Sequence, residues 1–151
     1  MNLRQKLILA VASCLLAAGC IANNENHLFE IGTQYKLTEF TLSFPAGNTF
    51  SFASAELDEL NRSWNSANVG INTINAIMQK GAPLNYHLTL SDGFKTEFNG
   101  AILKTNGTCY LCLCLLGDAG GFPGDVIPHV IQLEAVLNDK RLNELIELLT
   151  P

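Results

Sequence analysis

Positive charge is scarce in this chain. Nine Lys and Arg stand against fourteen Asp and Glu in 151 residues, a formal net charge of −5. A protein that grips nucleic acid needs clustered cations to neutralise phosphates, and no basic patch is present, so nucleic acid is not expected as a partner. Histidine is equally sparse: His27 lies in a polar N-terminal stretch, His87 on the outward side of a strand pattern, and His129 beside Pro128. A nucleophile needs a base that converges on it, and this scatter offers none. No Ser sits in a Gly-x-Ser-x-Gly turn, and no glycine loop carries the Lys of a phosphate cradle. The expectation is a non-enzyme with no cofactor and no metal. Acid–base work by Glu39, Asp92, Glu97 and Asp118 stays open, since carboxylates that meet in space leave no linear trace. Long apolar runs are missing too: none reaches the roughly 20 residues of a membrane-crossing helix.

What is present begins at the N-terminus. Arg4 and Lys6 give a positive start, Leu7 to Ala18 form a short apolar core, and small residues follow, the three-part layout of a secretion signal. The core closes on Leu16, Ala17, Ala18, Gly19 and Cys20. That stretch resembles the lipobox of bacterial lipoproteins. The resemblance implies removal of residues 1–19, a thioether-linked diacylglycerol on Cys20, and acylation of its new amine. By similarity to sorting in enterobacteria, Ile21 in place of Asp implies an outer-membrane lipoprotein facing the periplasm. The alternative is an ordinary signal cleaved elsewhere, with Cys20 incidental.

Loss of Arg4 and Lys6 leaves 7 basic against 14 acidic side chains in 132 residues, a net charge of −7. That length suits one domain with a single sizeable core. The acidity serves solubility, or it steers a basic protein partner. Residues 20–33 are polar and weakly patterned, which predicts a tether; residues 34–151 then form the domain.

Period-two alternation of Phe40, Leu42 and Phe44 predicts a strand, and Pro45 to Asn48 a turn before Phe50 and Phe52. Ser54 is the expected cap of a long helix whose apolar stripe runs Leu57, Leu60, Trp64, Ala67, Ile71, Ile74 and Met78, with a bend at Gly70 and a stop at Gly81. Its opposite face is rich in Asn and Ser. Strands follow at Leu84–Leu90, 94–104 and 108–116, the last two joined by the hairpin pair Asn106-Gly107. The 108–116 strand is apolar almost throughout, which predicts burial on both faces. Residues 129–137 fit either a strand or a helix, with the strand preferred, and Asn138 or Asp139 caps a short final helix. The fold class expected is α+β: an antiparallel sheet of about five strands with one long helix and a short C-terminal helix packed on it.

Strand alternation places Cys112 and Cys114 on one face and Cys109 on the other, so the three do not converge on a metal. Buried thiols are the favoured state, with one disulfide across a local bulge as the alternative. The loop from Gly117 to Pro128 is the least ordinary segment. Its glycines, its Phe122-Pro123 pair, and Asp118 and Asp125 make it the candidate partner-binding tip, against the alternative of a plain connection with Phe122 folded onto the core. The function expected is a lipid-anchored periplasmic domain that binds, and in one version inhibits, another envelope protein. A structural accessory subunit of an envelope assembly and a small-ligand carrier are the alternatives.

Overall fold

The structure is a computed structural model, and it describes residues 25–149 apart from residue 68 and residues 118–124. It is α+β. Six strands form one antiparallel sheet: β1 Leu37–Ser43, β2 Thr49–Ser51, β3 Ala82–Leu90, β4 Lys95–Thr105, β5 Thr108–Gly117 and β6 Asp125–Gln132, in the order β2-β1-β3-β4-β5-β6. Four α-helices are described: α1 Glu25–Phe29, α2 Ser54–Ser63, α3 Ile71–Lys80 and α4 Asp139–Leu149. A 3-10 turn at Leu133–Ala135 follows β6, so the 129–137 stretch is strand for its first half only.

Alternation along the strands sorts side chains onto two faces of very different depth. On the first, Phe40, Leu42, Tyr86, Leu88, Ile102, Leu111 and Leu113 join a large core beneath α1, α2 and α4. On the second, Ala101, Cys112 and Val130 meet Ile77 of α3 in a small separate cluster. β5 is buried on both faces from Leu111 to Leu115, although it lies one strand from the sheet edge. The Asn106-Gly107 turn has both residues at positive φ, 51° and 78°, the geometry that makes this pair favourable in a two-residue hairpin.

The single long helix expected over 54–80 is two. Leu57 and Leu60 of α2 and Trp64 just after it sink into the first face, whereas Ile77 of α3 sinks into the second. The chain between them passes around the edge of β6: Trp64 stacks on His129 at 4.3 Å, and Asn65, Ala67, Val69 and Ile74 share a cavity with Pro128, His129 and Val130. One continuous helix cannot serve two faces of one sheet, so the helix ends. The expected cap also moves by one residue. Ala53 takes the cap position and its N–H donates to Glu56 Oε2 at 2.7 Å, with Ser54 as the first helical residue. At α4 the Asn138 side chain does cap, accepting from the Arg141 N–H at 2.9 Å.

The 20–33 tether needs correction. Leu28 and Ile31 are 5% and 0% exposed and belong to the large core, and the Trp64 indole N–H donates to the Leu28 carbonyl at 3.1 Å. The folded unit therefore begins no later than Glu25. Gly32 makes this docking sterically feasible: its φ is +84°, and a Cβ there would stand 2.2 Å from the Asn61 carbonyl oxygen.

Candidate functional site

Register fixes where the candidate binding tip is attached. β5 and β6 stay paired until Gly117 meets Asp125, so residues 118–124 connect the two strands at that end. Asp118 and Phe122 themselves lie outside the described residues. Asp125 is the first residue of β6. Antiparallel pairing of β5 with β4 sets Gly117 at the Lys95 end of β4, the same end at which Leu90 closes β3 and Leu37 opens β1. The tip thus roots at the sheet end where the N-terminal segment enters the domain. Lys36 and Ser91 tie that end together through two hydrogen bonds of 2.8 and 3.1 Å.

The histidines remain scattered. His27, expected in the tether, is instead wedged at this sheet end, 4.2 Å from the Tyr35 ring and 5.3 Å from that of Phe94, with Nε2 3.5 Å from Asp92. His87 sits half-buried on the second face between Thr41 and Glu97. His129 lies against Trp64, and its Nε2 is buried without a hydrogen-bond partner. Burial pulls its pKa down to about 4, with the Trp64 carbonyl opposing more weakly, so the ring is neutral at physiological pH.

Cys109 packs on the first face with Leu111, Leu113 and Leu115; Cys112 packs on the second with Ile77. All three strand cysteines are free and buried. Burial raises each thiol pKa, to about 11 for Cys109 and Cys112, with Glu134 adding to the effect at Cys109 and Cys114 at Cys112. Thiols in that range are protonated and weakly reactive. Cys112 Sγ lies 3.8 Å from Met78 Sδ. No group of three or more His, Cys, Asp or Glu placed to hold a metal occurs among the described residues.

Beyond α3 the second face is polar. Thr41, His87 and Glu97 form one row across β1, β3 and β4, and Glu39, Thr89 and Lys95 the next. Thr89, the buried member, donates its hydroxyl to Glu39 Oε2 at 3.0 Å. A cavity of about 290 Å³ lies at the far end of β1, β3 and β4, where Phe44, Pro45, Pro83 and Leu84 line it together with Ser43, Asn85 and Asn99.

Both sheet edges are obstructed. β2 has three residues, and its Ser51 carbonyl accepts from the Arg141 guanidinium at 2.7 Å. The same guanidinium stacks 4.3 Å above Phe50 and binds Glu56 and Glu144. Burial raises the Glu56 pKa, but hydrogen bonds from Arg141 and the Ala53 N–H outweigh it and hold the carboxyl below its ordinary value. Nothing local in the sequence links Arg141 to Glu56. At the other edge, Pro128 lacks a backbone donor and the α2–α3 crossing covers part of β6. Comparison with protein-family models, curated proteins and solved structures finds no match.

Proposed function

We propose that this chain is a lipid-anchored protein of the bacterial envelope, held through Cys20, whose domain binds and restrains another envelope protein. The observation that carries the reading is the attachment of the β5–β6 tip at the sheet end where the N-terminal segment enters. A segment with Asp118, Phe122 and Asp125 would offer a partner one apolar anchor between carboxylates, close to the membrane. Aromatic anchors dominate binding energy, whereas surrounding charge sets approach rate and salt dependence. The net charge of −7 expected after signal removal suits a basic partner. Unreactive thiols and a neutral, shielded His129 give no support to catalysis.

Two measurements test this. Growth with a radiolabelled fatty acid should label the wild type and not Cys20→Ala; an unlabelled wild type ends the anchor claim. The chain from Asn23 onward, used as bait in envelope extract, should capture a partner that is lost in high salt and in Phe122→Ala. Capture indifferent to both changes would overturn the binding-tip assignment.

An accessory-subunit role has one observation in its favour. Ile71 and Met78 on α3 are 67% and 51% exposed, an apolar surface beside Asn72 and Asn75. Docking there would resist salt and fall with Ile71→Asp. The obstructed edges argue against docking by strand addition.

A further inference from the structure

Resting on the Cys20 anchor proposed above, we infer that the α1 end of the domain lies against the lipid surface, with Phe29 seated in the headgroup interface. Cys20 and Glu25, the first residue of α1, are five positions apart. A chain of that length spans at most about 18 Å, so the anchored domain cannot swing freely. Nor can α1 peel away cheaply to lengthen the link, because Leu28 and Ile31 are in the core and Trp64 holds the Leu28 carbonyl. The end of the domain that faces the bilayer is therefore set by where α1 is docked.

The side chains at that end fit an interface. Phe29 is 36% exposed and is the one aromatic among the large exposed apolar residues described. Half-buried Tyr35 and Phe94 flank His27 close by. Exposed Lys36 and Lys95 stand at the same sheet end, with stems long enough to lie along apolar surface while their ammonium groups reach phosphate. Aromatic rings with neighbouring lysines are the side chains that settle at headgroup depth. Glu30 and Asp92 also sit here, so the contact is with zwitterionic lipid through the rings rather than electrostatic adhesion to anionic lipid.

The test uses the full lipidated protein in phosphatidylcholine vesicles containing brominated acyl chains, which quench indole at short range. Native Trp64 is 2% exposed and serves as the internal background. Phe29→Trp should add emission that the brominated lipid quenches at least two-fold. Lys104→Trp, about 30 Å along β4 from Lys95, should add emission that it does not quench. An unquenched Phe29→Trp on protein that carries the fatty-acid label would overturn the inference while leaving the anchor standing. Quenching of Lys104→Trp alone would show the opposite end facing lipid. Blue-shifted but unquenched Phe29→Trp emission would mean that a second copy of the chain covers the ring. Absence of the label on the wild type would remove the anchor and the inference with it.

Discussion

The two faces of the sheet differ more than any other pair of regions in this molecule. One carries three helices and a continuous apolar core running from Leu28 to Leu145; the other carries a single helix whose Ile77 meets three buried sheet residues, beside polar rows in which Thr89 is buried, Thr41 and His87 are half-buried, and Glu39, Lys95 and Glu97 are exposed. The first face holds the fold together. The second is stabilised locally by α3 and, beyond it, is expected to tolerate substitution. Division of labour of this kind concentrates tolerance to change on one side of a small domain.

The sharpest break in that contrast would come from Trp64, which belongs to the first face and also opens the crossing to the second. Trp64→Ala should lower unfolding stability by roughly 3–5 kcal/mol in urea titrations, because it removes a core ring, the bond to Leu28 and the stack on His129. A cost near 1 kcal/mol would show that the faces are joined elsewhere.

Acid should weaken the same junction. The folded pKa of His129, about 4, lies below its ordinary value near 6.5. The unfolded chain therefore binds the proton first as pH falls. The stability associated with a neutral His129 is complete above about 6.5 and is lost progressively toward 4, a change of about 3 kcal/mol. His129→Phe should flatten that part of the stability–pH curve. An unchanged slope would assign it to other groups. Glu56, whose pKa is depressed, contributes stability that is lost only at lower pH, below the ordinary carboxylate value.

Arg141→Met removes the clamp between α4, Phe50 and Glu56, and thermal melts should show a loss of about 1–2 kcal/mol, since the pair is partly exposed. The mildest expected effect lies on the open strip. His87→Gln should change stability by no more than about 0.5 kcal/mol, as for surface substitutions generally. A loss above 2 kcal/mol in chemical denaturation would show that the polar rows are structural after all.

Much of this contrast was legible in the residues. Alternation over Phe40 to Phe44 and Leu84 to Leu90 reports one buried face, and the unbroken apolar run after Asn106-Gly107 reports two. The opposite placement of Cys109 and Cys112 follows from the same period of two. Hidden from the sequence was the break between α2 and α3. An apolar stripe from Leu57 to Met78 has the same angular spacing whether it faces one surface or two, and only the position of β6 decides between them. Leu28 and Ile31 escaped detection for another reason: two apolar residues in a polar stretch make no period, and their burial depends on a tryptophan 36 residues away. Asn61 reads as part of a polar helix face, yet its amide closes on the Leu37 backbone at 2.8 and 3.2 Å. For the candidate site, the sequence marks the loop after Leu116 but not the sheet end it roots on, since that requires register across three strands.

The crossing around β6 also constrains the order of events during folding. Trp64, Asn65, Ala67 and Val69 come early in the chain, but the strand they lie against is the last of the six to be made. Until β6 pairs, Trp64 has no His129 to stack on and the cluster of Ile77 lacks Val130. Such long-range closure is slow relative to local helix or hairpin formation. A nascent or truncated chain ending before residue 125 would lack β6 and α4 and leave neither face sealed, so closure of both faces waits on the last strand and the last helix.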